Sequence, residues 1–492
     1  MISQRTKGIL TLIGTFILHF ILGTLHTWPS ISRYFHSYLV ELNQTRFSLA
    51  YLDIVFSLVN AAHSICVPFG VILSKTYGPS IIIGIGLTMK LIANALFILT
   101  PDIVIVTISL VVCASGVGLA YMPGIIEIWK YFPNNKGIAS GTAFAGFGFT
   151  RLLFKYVSIY MINPTEELPL PKRERYDTHI NNNFLIYLKK SEIFFSFLSV
   201  LCILLIFPFE KPKQQDYKML KKNNSMKNRN NTKDNSFSNN NLNRGVSYDK
   251  DEKIINNEEI EYNDITIEYD SDSDLSFFEG EHQIPIRTLI ISYPFIQLTF
   301  IFFFTMFFGS IELTSMKKFG LMNGHSEDFL WYSALIWKVS NIVCYTIWGG
   351  LLDLIKFKKL YMIILSSEII ISATCYFISS SKIGFILYST ISAAVNSANI
   401  AVAPTSFVMI FGIEKGALLF SISSLLHNTF YILRPLITNF AASKVYFLMF
   451  YLIICLFSML ASIILCFFVE KQYEYKKVEK KDIELEDIKE NE

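Results

Sequence analysis

Residues 130–148 read KYFPNNKGIASGTAFAGFG, a short polar turn with two lysines that leads into a run of small and apolar residues. Within that run Gly137, Gly141 and Ala145 stand four positions apart, so they share one face of a helix. Rows of small residues at this spacing let helix backbones approach closely in lipid, where no hydrophobic effect drives association. The stretch therefore predicts a membrane helix whose small face serves packing rather than chemistry.

The start of this stretch recurs in the second half of the chain. Residues 132–137 read FPNNKG and residues 411–416 read FGIEKG, so the pattern F-x-x-x-K-G occurs twice. Residues 70–75, GVILSK, likewise have a similar counterpart in GLLD at residues 350–353, which Lys356 follows. Matching segments in the same order along the chain indicate two parallel halves with the same order of helices.

The composition places these helices in a membrane. The 492 residues are 52% hydrophobic and only 17% charged, whereas soluble domains carry roughly 25% charged residues. The apolar runs reach about 20 residues, long enough to cross the hydrocarbon layer as helices. The net charge of +3 gives no reason to expect a nucleic-acid partner. All seven cysteines lie in apolar segments without a C-x-x-C spacing, so we expect neither a metal site nor a disulfide framework.

We predict an all-α membrane protein with twelve transmembrane helices, six before and six after a hydrophilic middle. The first six spans are predicted at Gly8–Trp28, Ser48–Leu73, Ser80–Leu99, Ile103–Trp129, Gly137–Met161 and Phe184–Phe209. The second six are predicted at Arg287–Leu313, Phe329–Leu352, Leu360–Ser379, Ile383–Phe411, Ala417–Ala441 and Tyr446–Phe468. Lysines are enriched in the loops on the side of the N-terminus, so both termini are predicted to be cytosolic.

Four regions follow from this pattern. Residues 1–211 are predicted to form an N-terminal six-helix bundle, and residues 284–470 a C-terminal one. Residues 212–283 are rich in Asn and charged residues and poor in aromatic residues, which predicts a disordered cytosolic linker. Residues 471–492 are predicted to be a charged cytosolic tail.

Three stretches resemble the major facilitator superfamily. Residues 130–148 are similar to the K-W-F-P-x-x-R-G-x-A-x-G-x-x-x-A-G-x-G stretch of its oxalate/formate antiporter and monocarboxylate transporter branches. Residues 70–79, GVILSKTYGP, resemble the superfamily loop G-x-L-x-D-R-x-G-P, with Ser74 in place of the usual Asp. Residues 22–28, LGTLHTW, are similar to the antiporter branch's L-G-x-x-Y-x-W. The Asp that animal monocarboxylate carriers place in the eighth span is Ala334 here, so the antiporter branch matches better.

Intramembrane charges are the first candidates for a binding site, since each costs a few kcal/mol at mid-bilayer. Lys338 lies near the middle of the predicted eighth span, the region in which both related branches place a substrate-binding cation. A transported carboxylate would supply its counter-charge. The alternatives are a structural ion pair with Glu368 or Glu127, or snorkelling to the headgroups.

Further cations are predicted on the fifth and eleventh spans. Arg151 and Lys155 lie one turn apart on one helix face, and the repeat offset relates Lys155 to Arg434. The antiporter branch places a substrate cation in its eleventh span, for which Arg434 is a candidate and His427 the rival. Arginine can hold a carboxylate through two parallel hydrogen bonds, so Arg151 is a substrate-binding candidate. Snorkelling is the alternative for Lys155 and Arg434.

Polar and aromatic residues complete the candidate set. Trp28, Tyr121 and Asn396 lie on the first, fourth and tenth spans, which line the cavity in this fold, and core packing is the alternative for the two aromatics. His63 and Asp53 are proton-coupling candidates because they can titrate, although a buried histidine is more often simply hydrogen-bonded.

These observations predict a secondary active transporter that moves a small organic anion by alternating access, as an exchanger or a proton symporter. The cargo would be a monocarboxylate such as pyruvate, lactate or formate, or oxalate. The alternatives are a carrier of a neutral solute (nucleoside, sugar or drug) and a non-transporting membrane sensor. We find no nucleophile–base set, metal spacing or phosphate loop, so we expect no enzyme and no cofactor.

The expected partners are the anion, a co- or counter-transported proton or anion, and the lipid bilayer, with the chain acting as a monomer. The Asn- and Lys-rich tracts together with the antiporter branch suggest an apicomplexan parasite. The predicted location is therefore the plasma membrane or an organelle membrane such as that of the apicoplast.

Overall fold

The computed structural model describes residues 3–42, 49–100, 102–165, 176–208, 285–427, 429 and 444–470. Within these ranges, the side chains at positions 29, 30, 49, 50, 53, 310–315, 318 and 444–447 are not described. The predicted linker (212–283) and tail (471–492) lie outside the described residues. The helices on either side of residues 210–283 belong to one compact unit.

The described residues of the first half form seven α-helices. They are α1 (Gln4–Leu22), α2 (Trp28–Glu41), α3 (Leu49–Tyr77), α4 (Pro79–Leu99), α5 (Ile103–Tyr131), α6 (Lys136–Ile162) and α7 (Thr178–Leu205). A 3₁₀ turn over Gly23–Thr27 joins α1 to α2. The first helical segment therefore continues beyond the predicted end at Trp28. Pro29 does not break it because it stands in the first turn of α2, where a missing backbone N–H costs no hydrogen bond.

The second half repeats this arrangement. Its helices are α8 (Ile286–Ile290), α9 (Tyr293–Met322), α10 (Glu327–Leu354), α11 (Phe357–Ile378), α12 (Lys382–Phe411), α13 (Ile413–His427) and α14 (Lys444–Cys466). The described part of the chain contains no β-strand.

Eight of the described helices are long and apolar enough to cross a membrane, judged by length and composition. They cover the predicted spans one to four, eight to ten and twelve. Helices α6, α7 and α9 occupy the predicted fifth, sixth and seventh spans. The prediction of an all-helical membrane protein is confirmed, while the count of twelve spans and the cytosolic termini stay predictions.

Tight turns set neighbouring helices antiparallel. Gly78 between α3 and α4 has φ +93°, and Gly412 between α12 and α13 has φ +79°. Residues with a Cβ atom rarely adopt this left-handed backbone conformation, whereas glycine adopts it without steric conflict, so glycine suits both turns. We call the end of the helix unit at which α1 begins the N-side. The turns α3–α4, α5–α6, α10–α11 and α12–α13 all lie there because each helix reverses the direction of the one before.

Helices α6 and α10 join the two halves along an antiparallel contact, which we call the seam. A Cβ atom on Gly137 would lie 2.1 Å from the backbone oxygen of Gly349, and one on Gly141 would lie 2.2 Å from the backbone oxygen of Tyr345. The two backbones therefore touch where the sequence predicted a small helix face, which confirms its packing role. Tyr156 and Trp331 extend the seam to its far end with ring centroids 5.4 Å apart.

Candidate functional site

Lys338 crosses the seam near the middle of α10. Its Nζ donates a hydrogen bond to the backbone oxygen of Arg151 on α6, at 3.2 Å. A helix carbonyl is a weak partner for an ammonium group, because it carries only part of a negative charge. The ammonium group of Lys338, from the second half of the chain, therefore contacts α6, the helix at the fifth predicted span of the first half.

Two further cations lie beside Lys338. Arg151 and Lys155 are the charged neighbours that act electrostatically on its ammonium group. The Nε of Arg151 is buried and has no hydrogen-bond partner among the described residues. None of these three cations forms an ion pair with a carboxylate that the structure describes. We call Lys338, Arg151 and Lys155 the cation cluster, and it carries an excess of positive charge.

The carboxylates considered as structural partners for Lys338 are engaged elsewhere. Glu127 pairs with Lys130 one turn away on α5, at 2.5 Å. Glu368 is fully buried on α11, and its Oε1 accepts a hydrogen bond from Ser458 at 2.8 Å. The described contacts of these two carboxylates thus give no support to the structural-pair alternative.

An aromatic cage stands one helical turn from the cation cluster. Tyr121 on α5 has ring centroids 5.5 Å from both His19 and His63, 5.9 Å from Phe144 and 5.8 Å from Phe147. These five residues, which we call the aromatic cage, come from α1, α3, α5 and α6. The structure therefore brings together two sequence candidates, Tyr121 and His63.

Two buried imidazole nitrogens in the cage have no hydrogen-bond partner among the described residues. His19 Nδ1 is bonded to the backbone oxygen of Thr15 at 2.9 Å, while its Nε2 has no partner among the described residues. The same holds for Nδ1 of His63. Phe147 and Arg151 are four positions apart on α6, so cage and cation cluster share one helix face. Sequence reasoning missed His19, whose signal was an imidazole side chain within the apolar run of α1.

The described contacts of His427 and Asn396 do not include the cation cluster. His427 Nε2 contacts Ser423 Oγ at 3.0 Å and the backbone oxygen of Thr299 at 3.2 Å. Asn396 packs against α9, where a Cβ on Gly309 would lie 2.1 Å from its Oδ1. Their described contacts are those of side chains that hold helices of the second half together.

Trp28 belongs to a different place in the fold. Its indole lines a cavity within the first half of the chain, together with Lys90 and Glu192. Neither charge was singled out from the sequence, although both stand inside predicted spans. Arg434 lies outside the described residues, and so does the side chain of Asp53.

The seam is closed at the N-side. Asp353 at the end of α10 accepts the backbone N–H groups of Gly137 and Ile138 at the start of α6, at 2.7 and 2.8 Å. Lys75 at the end of α3 forms an ion pair with Glu414 at the start of α13, at 2.7 Å. Both contacts join helices of the first half to helices of the second half at the N-side.

The sequence is similar to two curated proteins, and no protein-family model matches it. It is 27% identical to apicoplast pyruvate carrier 1 of Toxoplasma gondii over 245 residues, which are 41% of this chain and 45% of that protein. It is 29% identical to the uncharacterized MFS-type transporter YhjX of Escherichia coli (strain K12) over 161 residues, 32% of this chain and 38% of that protein. The matches span less than half the length of these relatives.

The fold is similar to solved structures over nearly the whole chain. FucP in the outward conformation superposes with a TM-score of 0.63 at 11% identity, over 95% of this chain and 100% of FucP. The proton:xylose symporter XylE bound to 6-bromo-6-deoxy-D-glucose gives 0.59 at 13% identity, over 95% and 96%. Both are major facilitator superfamily proteins. The chain therefore has the major facilitator fold.

Proposed function

We propose that this protein is a secondary transporter that carries a small monocarboxylate across its membrane by alternating access. The observation that carries the proposal is the cation cluster, three positive side chains with no described carboxylate partner. Each uncompensated charge in a membrane costs at least about 2.5–3.5 kcal/mol. An anion that binds there would remove part of this cost and would replace the weak carbonyl partner of Lys338.

The geometry favours a carboxylate with a short carbon chain. Arg151 presents a buried Nε–H, and a guanidinium group can hold both oxygens of one carboxylate. The neighbouring aromatic cage supplies apolar ring faces for a carbon chain and imidazole nitrogens for a keto or hydroxyl group. The similarity to the apicoplast pyruvate carrier supports the same substrate class and an organelle membrane as its location.

The charge of the cluster also bears on the mode of transport. An empty site with three cations disfavours closing the seam around it, because the positive charges then repel one another in a low dielectric. A loaded site avoids this repulsion. The transporter therefore exchanges one anion for another more readily than it returns empty.

Uptake into proteoliposomes tests the proposal. Radiolabelled pyruvate, lactate, formate and oxalate are offered to wild-type protein and to the Lys338→Met variant, with and without anion inside the vesicles. We expect saturable pyruvate uptake that internal pyruvate accelerates and that Lys338→Met lowers at least tenfold. Lys359→Met is the matched control, because it removes an exposed lysine at the start of α11 and should transport like the wild type.

Three results would contradict parts of the proposal. Uptake that survives Lys338→Met would remove the cation cluster from the binding site. No uptake of any acid by folded protein would favour a neutral-solute carrier or a sensor. Net efflux into buffer without a counter-anion, at the rate of exchange, would overturn the exchange mode alone.

A further inference from the structure

The first half of the chain encloses a cavity of about 100 Å³ that shares no residue with the cation cluster. Its lining comes from the α1–α2 junction and from α3 to α7. Trp28, Lys90, Asn94, Tyr187 and Glu192 line it with polar groups. Two threonines, one serine and one cysteine line it as well, and aliphatic and phenylalanine side chains form the rest of its wall. A water molecule needs roughly 10–15 Å³ of cavity, so there is room for a molecule of several heavy atoms.

Two buried donors that line this cavity have no hydrogen-bond acceptor among the described residues. The side chain of Lys90 is only 1% exposed, and its Nζ lies 4.9 Å from the ring centroid of Phe195. Among the described residues Lys90 has no hydrogen-bond acceptor and no ion-pair partner. The indole Nε1 of Trp28, a residue 7% exposed, is likewise without a partner there. Buried polar groups in native proteins are nearly always satisfied, so two such donors in one cavity indicate a ligand with acceptor oxygens.

Glu192 provides the opposite charge without closing the site. Its Oε2 accepts a hydrogen bond from Asn94 Nδ2 at 2.9 Å, and it interacts electrostatically with Lys90 across the cavity. The two charges make no direct ion pair in the described structure. A second acceptor can therefore enter between them and reach the ammonium group of Lys90.

We propose that this cavity is a second binding site, which takes up a small carboxylate together with one proton. The ammonium of Lys90 and the indole N–H of Trp28 hold the carboxylate oxygens, and the apolar wall holds the short carbon chain. The proton resides on Glu192. The proposal takes its substrate class from the proposed function, but it concerns a separate site.

The proton follows from the charge balance. Lys90 and Glu192 cancel each other, so a bound carboxylate alone would leave one net negative charge buried among apolar side chains, at a cost of several kcal/mol. Protonation of Glu192 restores neutrality. The other titratable groups that line the cavity are Cys113 on α5 and Tyr187 on α7, and both are neutral near pH 7 by their ordinary chemistry.

Binding of radiolabelled pyruvate to the full-length protein in lipid nanodiscs tests the proposal. We expect two molecules per chain in the wild type, and one in each of the variants Lys90→Met and Lys338→Met. The affinity of the site that survives in Lys338→Met should rise about tenfold per unit fall in pH, because one proton binds with each ligand. Glu192→Gln, which resembles the protonated acid, should keep that site and remove its pH dependence.

Each outcome decides between the two sites. Two molecules bound to Lys90→Met, or unchanged pH dependence in Glu192→Gln, would overturn the second site. A single wild-type molecule that only Lys338→Met removes would overturn it too, and would leave the proposed function intact. A single molecule that only Lys90→Met removes would support the second site and contradict the seam site. No pyruvate bound at all would contradict both. If Lys90→Met does not fold, the charge-neutral double variant Lys90→Met/Glu192→Gln replaces it with the same expected loss.

Discussion

Asp353 holds Gly137 across the seam by accepting its backbone N–H at 2.7 Å, and the other oxygen of the same carboxylate accepts that of Ile138 at 2.8 Å. Hydrogen bonds to a charged group contribute about 1.5–3 kcal/mol, and the helix N-terminus favours a carboxylate further. The second contact at the N-side, between Lys75 and Glu414, joins side chains that are 62% and 59% exposed. Such pairs contribute about 0–1 kcal/mol. Asp353 is therefore the stronger of the two closures.

Neutralising Asp353 should open the N-side. In Asp353→Asn one amide oxygen remains as an acceptor, so the charge-assisted pair of hydrogen bonds is lost. We expect the closed-to-open ratio to fall at least about tenfold, which corresponds to 1.4 kcal/mol. Amide hydrogen exchange in peptides that contain residues 136–142 measures this directly, and their protection should decrease.

Glu414→Gln is the matched control for this experiment. It removes one carboxylate from the same side of the protein, but from an exposed ion pair, so exchange should change by less than about fivefold. Equal effects of the two substitutions would show that the difference in burial does not determine the strength of the closure.

Two adjacent glycines on α10 should respond differently to alanine. A Cβ on Gly349 would lie 2.1 Å from the backbone oxygen of Gly137, whereas one on Gly350 would have Ile138 at 3.7 Å as its nearest neighbour. Alanine in a helix is intrinsically better than glycine by about 1 kcal/mol. Gly350→Ala should therefore keep or raise the melting temperature, and Gly349→Ala should lower it and slow uptake. Similar melting temperatures of the two variants would mean that α6 and α10 can move apart at the seam without a loss of stability.

The missing acidic residue of the superfamily loop should not be restorable by a single substitution. The offset that relates Phe132 to Phe411 also relates Ser74 to Asp353 and Gly137 to Gly416. However, α13 begins at Ile413, and the N–H of Gly416 already donates to the oxygen of Gly412 at 2.8 Å. A carboxylate at position 74 would therefore find this donor occupied.

Ser74→Asp should accordingly leave hydrogen exchange in the α3–α13 contact unchanged within about 0.5 kcal/mol, the range typical of surface substitutions. Ser74→Asn serves as the uncharged control. Increased protection of residues 413–417 in Ser74→Asp alone would contradict this expectation. It would mean that the first turn of α13 can open, so that its backbone N–H groups bind the new carboxylate as those of α6 bind Asp353.

His19 should contribute to substrate affinity. His19→Phe keeps a ring in the aromatic cage but removes Nε2, the nitrogen without a described partner. If the substrate accepts or donates a hydrogen bond there, KM for pyruvate should rise about 2- to 13-fold while kcat stays within about twofold, since a neutral hydrogen bond contributes about 0.5–1.5 kcal/mol. His179→Phe, at an exposed position on α7, is the control. An unchanged KM would place the substrate outside the cage.

Patterns that depend on neighbours along the chain were predictable. The glycine row on α6 and the paired F-x-x-x-K-G turns predicted close helix packing and a repeated half, because spacing along one helix determines which residues share a face. The continuation of the first helical segment to Glu41 was not predicted, since the residues of the 3₁₀ turn at Gly23–Thr27 carry no local signal that the helix continues after it.

The candidate site was predictable only in part. Lys338 and Arg151 were selected because an intramembrane charge is costly in any fold. Tyr121 was selected because its helix lines the cavity of the resembled family, and His63 because it can titrate. Their partners were not predictable. Which carboxylate neutralises which lysine depends on distances between helices that are far apart in sequence, and no local pattern contains those distances.

The sequence by itself determined that this chain is a helical membrane protein with two similar halves and several cations in its spans, because hydropathy and spacing act locally. Only the tertiary structure decided which of these charges lie beside one another and which lie in separate places. It placed Lys338 beside Arg151 with Glu127 and Glu368 engaged elsewhere, and it placed Trp28 with Lys90 and Glu192 in a separate cavity. The physical reason is that electrostatic energy depends on the separation of charges in space, which helix packing alone establishes.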